Sequence, residues 1–115
     1  MALTQPKRGE VWRVDLDPVR GHEQGRLRPA LVLSNDIYNS GPACLVTVVP
    51  ITARARSLRS YLQITPPEGG LPQVSYIICD QVRTISTERL GKRFGRVDAG
   101  TMAAVGERLR ILLDL

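Results

Sequence analysis

The sequence predicts a mainly β domain with one helix at its C-terminal end. Short segments rich in apolar and β-branched residues recur along most of the chain, and turn-forming residues, among them 10 Gly and 8 Pro, separate these segments. A helical spacing of apolar residues occurs only near the C-terminal end. With 115 residues, 43% of them hydrophobic, the chain has the size and composition of one folded domain, which we expect to cover residues 1–115.

The first predicted strand covers residues 10–16. Its apolar side chains Trp12, Val14 and Leu16 recur at every second position, so they share one face of the strand if Val11 points to the other face. The Asp-Pro pair at 17–18 ends this strand, and residues 21–25 form a polar loop bounded by glycines.

The remaining strands are predicted from apolar runs that suit a central position in a sheet. They cover residues 30–33, 45–51, 61–64, 74–79, 81–85 and 93–97. Residues 35–42 indicate one short helical turn, and the Pro-Pro-Glu-Gly-Gly stretch at 66–70 is typical of a tight turn. Many short strands in series favour a strongly curved antiparallel sheet or barrel.

The C-terminal helix is predicted from a cap and a periodic apolar face. Asp98 is a suitable N-cap, because its carboxylate can accept a hydrogen bond from a backbone N–H group of the first turn. Apolar residues then recur at spacings of three and four, which places them on one side of the helix: Met102, Val105, Leu109 and Leu112. We expect this side of the helix to close the sheet.

The cationic residues favour a polyanionic partner. The formal net charge is +5, and 14 of the 16 cationic residues are arginine. Arginine is always charged, grips phosphate through paired hydrogen bonds and stacks on bases. A solvated basic surface would give the same composition, so the charge indicates nucleic-acid binding without establishing it.

Neither a metal site nor a membrane segment is expected. One histidine, His22, and two distant cysteines, Cys44 and Cys79, provide neither the usual spacing of zinc ligands nor a disulfide framework, so we predict no cofactor. We expect both cysteines in buried strands. The apolar runs fall far short of the roughly 20 residues that span a bilayer, and no hydrophobic signal segment follows Met1, so we expect a cytoplasmic protein.

Three polar residues stand at the ends of apolar strands. Arg28 precedes one strand, with Pro29 fixing the backbone beside it, whereas Thr52 and Asp80 follow two others. Each also has an ordinary structural explanation: Thr52 suits any strand end, and Asp80 could cap a turn or pair with Arg83. The three residues form a site only if the sheet brings these strand ends together.

Two polar loops adjoin these positions. The loop before Arg28 contains His22, Glu23, Gln24 and Arg26. The loop after Thr52 contains Arg54, Arg56 and Arg59. Polar residues are common in loops, so composition alone does not give either loop a function.

Five motifs in a fixed order resemble the MazF/PemK/Kid toxins. They are RGEVW at 8–12, GHEQ at 21–24, RPALVLSND at 28–36, VPIT at 49–52 and DQVRTI at 80–85. The match runs from about Arg8 to the last helix and covers nearly the whole chain. Several motifs in the correct order are far more specific than any one of them.

This resemblance implies a fold, an activity and partners. The fold would be the SH3-like barrel with an appended helix that MazF, Kid and the CcdB toxin share, normally as a homodimer. The activity would be sequence-specific, metal-independent cleavage of single-stranded RNA such as mRNA. In that reaction the 2′-hydroxyl attacks the adjacent phosphate and leaves 2′,3′-cyclic phosphate and 5′-hydroxyl ends. A cognate acidic antitoxin protein would inhibit the enzyme.

The resemblance also implies roles for individual residues. Arg28 and Thr52 match the family's catalytic arginine and threonine, and Asp80 and His22 match an aspartate and a loop histidine of the Kid branch. Kid has a catalytic arginine two residues before its aspartate, whereas this sequence has Ile78 there, so the complete Kid set does not transfer.

The chemistry agrees with the catalytic residue types. A guanidinium and a hydroxyl can stabilise the extra negative charge of a pentacoordinate phosphorane. Arginine is a poor base because its pKa exceeds about 12, so the general base remains open among Asp80, His22 and Glu23. Residues expected to bind RNA are Glu23, Gln24, Arg26, Arg54, Arg56, Arg59, Gln81 and Arg83.

Two alternatives use the same fold. A CcdB-like toxin would act on a protein target, but CcdB depends on a C-terminal segment containing Trp, and this chain ends in Leu-Leu-Asp-Leu. A non-catalytic RNA-binding barrel is the other alternative, in which Arg28 and Thr52 have structural roles only.

Overall fold

The computed structural model describes residues 5–17, 20–21 and 26–115. Within these residues the chain forms seven strands and two α-helices. In chain order they are β1 (Glu10–Asp15), β2 (Leu27–Val32), α1 (Asp36–Asn39), β3 (Leu45–Thr52), β4 (Tyr61–Ile64), β5 (Ser75–Ile78), β6 (Arg83–Ser86), β7 (Leu90–Arg96) and α2 (Ala99–Leu113). The prediction of a mainly β domain with a C-terminal helix is confirmed.

All strand pairs are antiparallel, and β3 lies at the centre. The strand order is β4-β5-β3-β2-β1-β7, with β6 paired to β3 outside this path. The first half of β3 pairs with β6, its middle with β2, and its last residues, Ile51 and Thr52, with β5. One long strand therefore changes partners along its length, which bends the sheet strongly around β3.

The bent sheet buries apolar side chains on both of its faces. One core lies between the sheet and α2 and contains Val11, Leu31 and Val105. The other lies on the opposite face and contains Val14, Leu16 and further strand residues, with Trp12 packed against it. The predicted alternation in β1 is confirmed, because Val11 and the set Trp12, Val14 and Leu16 enter different cores.

Helix α2 begins as predicted but extends beyond the core. The Asp98 carboxylate accepts a hydrogen bond from Thr101 N at 2.8 Å, and the backbone N of Asp98 donates to Glu68 Oε2 at 3.1 Å. Val105 is buried, and Met102 and Leu109 are partly buried against the same core, whereas Leu112 is 52% exposed, so the expected apolar face is covered as far as Leu109. None of the helices in the described ranges is long and apolar enough to cross a membrane.

Three predictions on local structure were wrong. Strand β7 begins at Leu90 instead of residue 93, because Leu90 already pairs with Val14 of β1. Strand β2 begins at Leu27 instead of residue 30, because Arg28 and Pro29 already pair with β1 while pairing with β3 starts only at Ala30. Pro29 is tolerated there because its missing N–H is not needed by β3. Cys44 is exposed and precedes β3 with a φ of 56°, in a turn closed by its N–H bond to Gly41 O; Cys79 is buried as expected.

Candidate catalytic site

The antiparallel register of β2 and β3 brings Arg28 and Thr52 together. Ala30 pairs with Pro50, and the same register continued by two residues places Arg28 level with Thr52. Both residues line one cavity of about 340 Å³ at this edge of the sheet.

The Thr52 hydroxyl is buried and oriented. Thr52 is 7% exposed, and its Oγ1 accepts a hydrogen bond from Arg54 N at 3.1 Å. A backbone N–H can only donate, so the threonine oxygen is the acceptor and the hydroxyl proton can be donated to another group. The start of the arginine-containing loop thus orients Thr52 as a donor.

The backbone of Arg28 is held on a strand. Arg28 is half-buried in β2, where it pairs with Val14 of β1, and Pro29 follows it. A charged group carried by a packed strand keeps its position better than one carried by a loop. Arg28 and Thr52 thus bring a cation and a hydroxyl donor to one cavity, and these two groups suit the binding of a phosphate.

Further lining residues of this cavity were not anticipated from the sequence. They include Leu71, Gln73 and Ser75, which follow a 3₁₀ turn at Glu68–Gly70, and Phe94 of β7. No local sequence signal marks these residues, because they approach Arg28 only when the turn packs on β7 and when β5 pairs with the end of β3. The one available hint was the glycine pair at 69–70, which permits close backbone contact.

Asp80 lies away from Arg28 and Thr52 in the same chain. Strands β3 and β5 are antiparallel, and Thr52 pairs with Tyr76 near the start of β5. Asp80 lies in the turn that follows the end of β5 at Ile78, four residues along the chain from Tyr76. It lines a second cavity of about 260 Å³ together with Arg59 and Arg108.

Other groups near Asp80 are not activated for chemistry. Burial raises the pKa of the neighbouring Cys79 thiol to about 11, and it outweighs the Arg108 charge, which lowers this pKa; the Asp80 carboxylate makes a smaller contribution that raises it. A thiol with this pKa remains protonated near neutral pH and is a poor nucleophile. Within the described residues Asp80 forms no ion pair with Arg83, whose Nη1 donates to Leu16 O at 2.8 Å.

The residues expected to bind RNA lie in several places. Glu23 and Gln24, together with the candidate catalytic residue His22, lie outside the described residues. The loop arginines Arg54, Arg56 and Arg59 are exposed, and Arg59 also lines the second cavity. Gln81 is half-buried in the turn after β5, where its backbone N–H bonds to Ile78 O.

Arg26 and Arg83 help to hold the base of the loop that precedes β2. The backbone N of Arg26 donates to Asp17 Oδ1 at 2.9 Å, and its carbonyl accepts from Leu16 N. Arg83 bonds to the carbonyl of the same Leu16. Arg89, which sequence reasoning missed, adds a bond from its Nη1 to Asp15 O at 3.0 Å.

Buried charge elsewhere in the described ranges has a structural explanation. Glu10 is 7% exposed, and its carboxylate accepts hydrogen bonds from Lys7 N, Trp12 Nε1 and Arg93 Nε. Burial alone would raise the pKa of Glu10, but these hydrogen bonds and the Arg93 charge outweigh it and lower the pKa below its ordinary value. Glu10 is thus an ionised anchor between β1 and β7.

The chain is similar to one protein family and to proteins of that family over nearly its whole length. The family described as "PemK-like, MazF-like toxin of type II toxin-antitoxin system" matches residues 7–113. Endoribonuclease MazF9 of Mycobacterium tuberculosis is 40% identical over 114 residues, covering 95% of this chain and 97% of its own length.

Two solved structures show the same fold. The MazF structure from Deinococcus radiodurans superposes with a TM-score of 0.83 at 31% identity, over 97% of this chain and 99% of its own. A mycobacterial endoribonuclease in complex with its cognate antitoxin has a TM-score of 0.76 at 26% identity, over 98% and 97% of the two chains.

Proposed function

The chain belongs to the PemK-like, MazF-like toxin family of type II toxin–antitoxin systems, and from this we infer that it is an endoribonuclease toxin that cleaves single-stranded RNA. The main structural support for this function is that Arg28 and Thr52 line the same cavity. A cation and a hydroxyl donor held on adjacent strands suit the stabilisation of a phosphorane.

The proposed reaction is an internal transfer at phosphorus. The 2′-oxygen forms a bond to the adjacent phosphorus, the bond from phosphorus to the 5′-oxygen breaks, and a 2′,3′-cyclic phosphate remains. The 2′-hydroxyl proton passes to a general base, and the departing 5′-oxygen takes up a proton. Arg28 binds the non-bridging oxygens as their charge grows, and Thr52 donates to one of them.

The candidate bases occupy different places. Asp80 lies in the turn after β5 and lines a different cavity from Thr52, so we do not assign it to the cavity of Arg28 and Thr52 within one subunit. A homodimer can supply Asp80 from the second subunit, while His22 and Glu23 precede β2 in the same subunit. We therefore propose His22 or Glu23 in cis and Asp80 in trans as the proton-transferring and RNA-binding groups.

The antitoxin is the expected protein partner. The mycobacterial relative has been solved with its cognate antitoxin, and we extend this kind of partner to the present chain. An acidic, partly disordered segment of it would occupy the cationic surface in place of RNA. The mRNA substrate places the activity in the cytoplasm.

Cleavage in the presence of EDTA tests the proposed function directly. We expect the purified protein to cut single-stranded RNA at the same rate with and without the chelator, because Arg28 and Thr52 stabilise the negative charge of the phosphorane without a metal ion. The products should carry cyclic phosphate and 5′-hydroxyl ends, measured by end-group analysis. Binding without cutting would support the non-catalytic barrel, and no effect on RNA at all would support a protein-targeting toxin.

The loop arginines should guide RNA without taking part in the reaction. Reversing the charge of Arg54 and Arg56 together should weaken RNA binding and lower the slope of log affinity against log salt by about 0.7 for each lost phosphate contact. A Lys7→Glu/Arg110→Glu variant changes the net charge equally at exposed sites away from this loop. Equal salt slopes for the two double variants would contradict the assignment.

Mixed dimers test whether Asp80 acts in trans. Arg28→Ala and Asp80→Asn should each be impaired alone, whereas dimers reassembled from both should regain activity, because one site of each mixed dimer has both wild-type residues. Arg28→Ala mixed with Thr52→Ala is the matched control and should regain nothing, since these residues share one cavity in the same subunit. No recovery with Asp80→Asn would remove Asp80 from the reaction site.

A further inference from the structure

The cavity of Arg28 and Thr52 contains more surface than a phosphate needs. Phosphate binding involves Arg28 and Thr52, but Leu71, Phe94 and Gln73, which we call the wall, also line the cavity. Leu71 is 5% exposed and belongs to the core next to α2, and Phe94 packs against that same core. The reaction as proposed above gives this wall no role.

Backbone packing fixes the position of the wall. The turn at Glu68–Gly70 lies so close to β7 that a Cβ atom on Gly70 would be 1.9 Å from Phe94 O, and one on Gly95 would be 2.7 Å from Gly70 N. Gly70 also has a φ of 68°, which favours glycine. The backbone segments that carry Leu71 and Phe94 are therefore held close together by main-chain contact.

Gln73 is held by a separate contact. Ser75 is 4% exposed, and its hydroxyl donates to Gln73 O at 3.0 Å. This bond fixes the backbone from which the Gln73 side chain lines the cavity. A carboxamide has a donor and an acceptor side by side, so it can form paired hydrogen bonds with the edge of a nucleobase.

The wall has the chemistry of a nucleobase site. A base has flat apolar faces and a polar edge, and proteins that bind single-stranded RNA stack such faces on aromatic rings and hydrogen-bond to the edges. The volume of about 340 Å³ is within the range of small-molecule sites, about 300–1,000 Å³. Arg28 at the same cavity would hold the phosphate to which that nucleotide is attached.

We propose that Leu71, Phe94 and Gln73 form a base-binding subsite for the nucleotide next to the scissile phosphate. Phe94 supports the face of the base, and Gln73 bonds to its edge and so determines the sequence preference at that position. This proposal rests on the proposed endoribonuclease function, and it adds specificity-determining residues to the site.

Cleavage of a randomised RNA pool by the full-length protein tests the role of Gln73. We expect Gln73→Ala to lose base preference at one position adjoining the cut and to keep it at the others. Gln63→Ala, a change of an exposed glutamine on β4, should leave every position unchanged. If the wild-type protein cuts and Gln73→Ala keeps the full preference, the subsite is refuted while the function stands; if the wild type does not cut, the function itself fails.

An abasic substrate tests the role of Phe94. Removing the base next to the cut should lower the kcat/KM of the wild-type protein by about 5- to 150-fold, the value of one stacked base. The Phe94→Leu variant should have a lower kcat/KM than the wild type on the intact RNA. Removing the base should then reduce the kcat/KM of this variant by a smaller factor than it does for the wild type. Equal factors for the two proteins would overturn the stacking role. A weakened affinity for the antitoxin with an unchanged base preference in Gln73→Ala and Phe94→Leu would also overturn it.

Discussion

Replacing Arg28 by alanine should lower the rate of RNA cleavage by about 10³-fold. Loss of one preorganised donor commonly reduces the rate by about 10²–10³, and Arg28 should be at the upper end because it also neutralises the phosphate. Thr52→Ala, which removes an uncharged donor, should fall nearer the lower end. The rates are measured in single-turnover experiments on one defined RNA, so that binding and chemistry are separated.

Controls separate this effect from unfolding. Arg110→Ala removes an arginine from the exposed face of α2 and should cleave as the wild type does. Arg28→Lys should recover only part of the activity, because an ammonium cannot form the paired hydrogen bonds of a guanidinium. A near-wild-type rate for folded Arg28→Ala would show that the cation of this cavity is not needed for catalysis.

Substitution of a single 2′-deoxy nucleotide at the cut should abolish cleavage. The proposed nucleophile is the 2′-oxygen, so its removal eliminates the reaction, whereas it changes neither the charge of the backbone nor the bases that the protein binds. Affinity for the substituted RNA, measured by competition, should stay close to that of the all-ribose RNA. The same substitution one nucleotide further from the cut is the matched control and should be cleaved.

Cutting of the deoxy substrate would require a different nucleophile. Water would then have to attack the phosphorus, and the products would lack the cyclic phosphate. That result, together with divalent-ion dependence, would contradict the proposed mechanism while leaving the family assignment in place.

Local patterns account for the parts of the fold that were predicted. The period-two spacing of Trp12, Val14 and Leu16 depends only on the alternation of side chains along a strand, and the structure places them in one core with Val11 in the other. Asp98 caps α2 because the N-cap bond forms within three residues of the chain. Such features need no information about distant segments.

The errors arose where distant segments decide the local structure. Leu112 continues the helical spacing, but α2 extends past the sheet at that point, so its side chain is exposed. Cys44 precedes β3 in a turn with positive φ, which its apolar neighbours in the sequence did not indicate. The helical spacing was clear for Leu112, and the burial of Cys44 was expected because free cysteine is usually buried, but in both cases the surface needed to bury the side chain was missing.

The sequence by itself determined the mainly β class, the C-terminal helix and the candidate residues Arg28, Thr52 and Asp80, because these follow from local spacing and from motifs. Only the tertiary structure decided which of them meet. Antiparallel pairing places the start of β2 beside the end of β3, which joins Arg28 to Thr52, but it places the ends of β3 and β5 at opposite edges, which separates Asp80. The contact of Gly70 with β7 then adds Phe94 to the same cavity from 66 positions beyond Arg28, because packing between backbones does not depend on separation in the sequence.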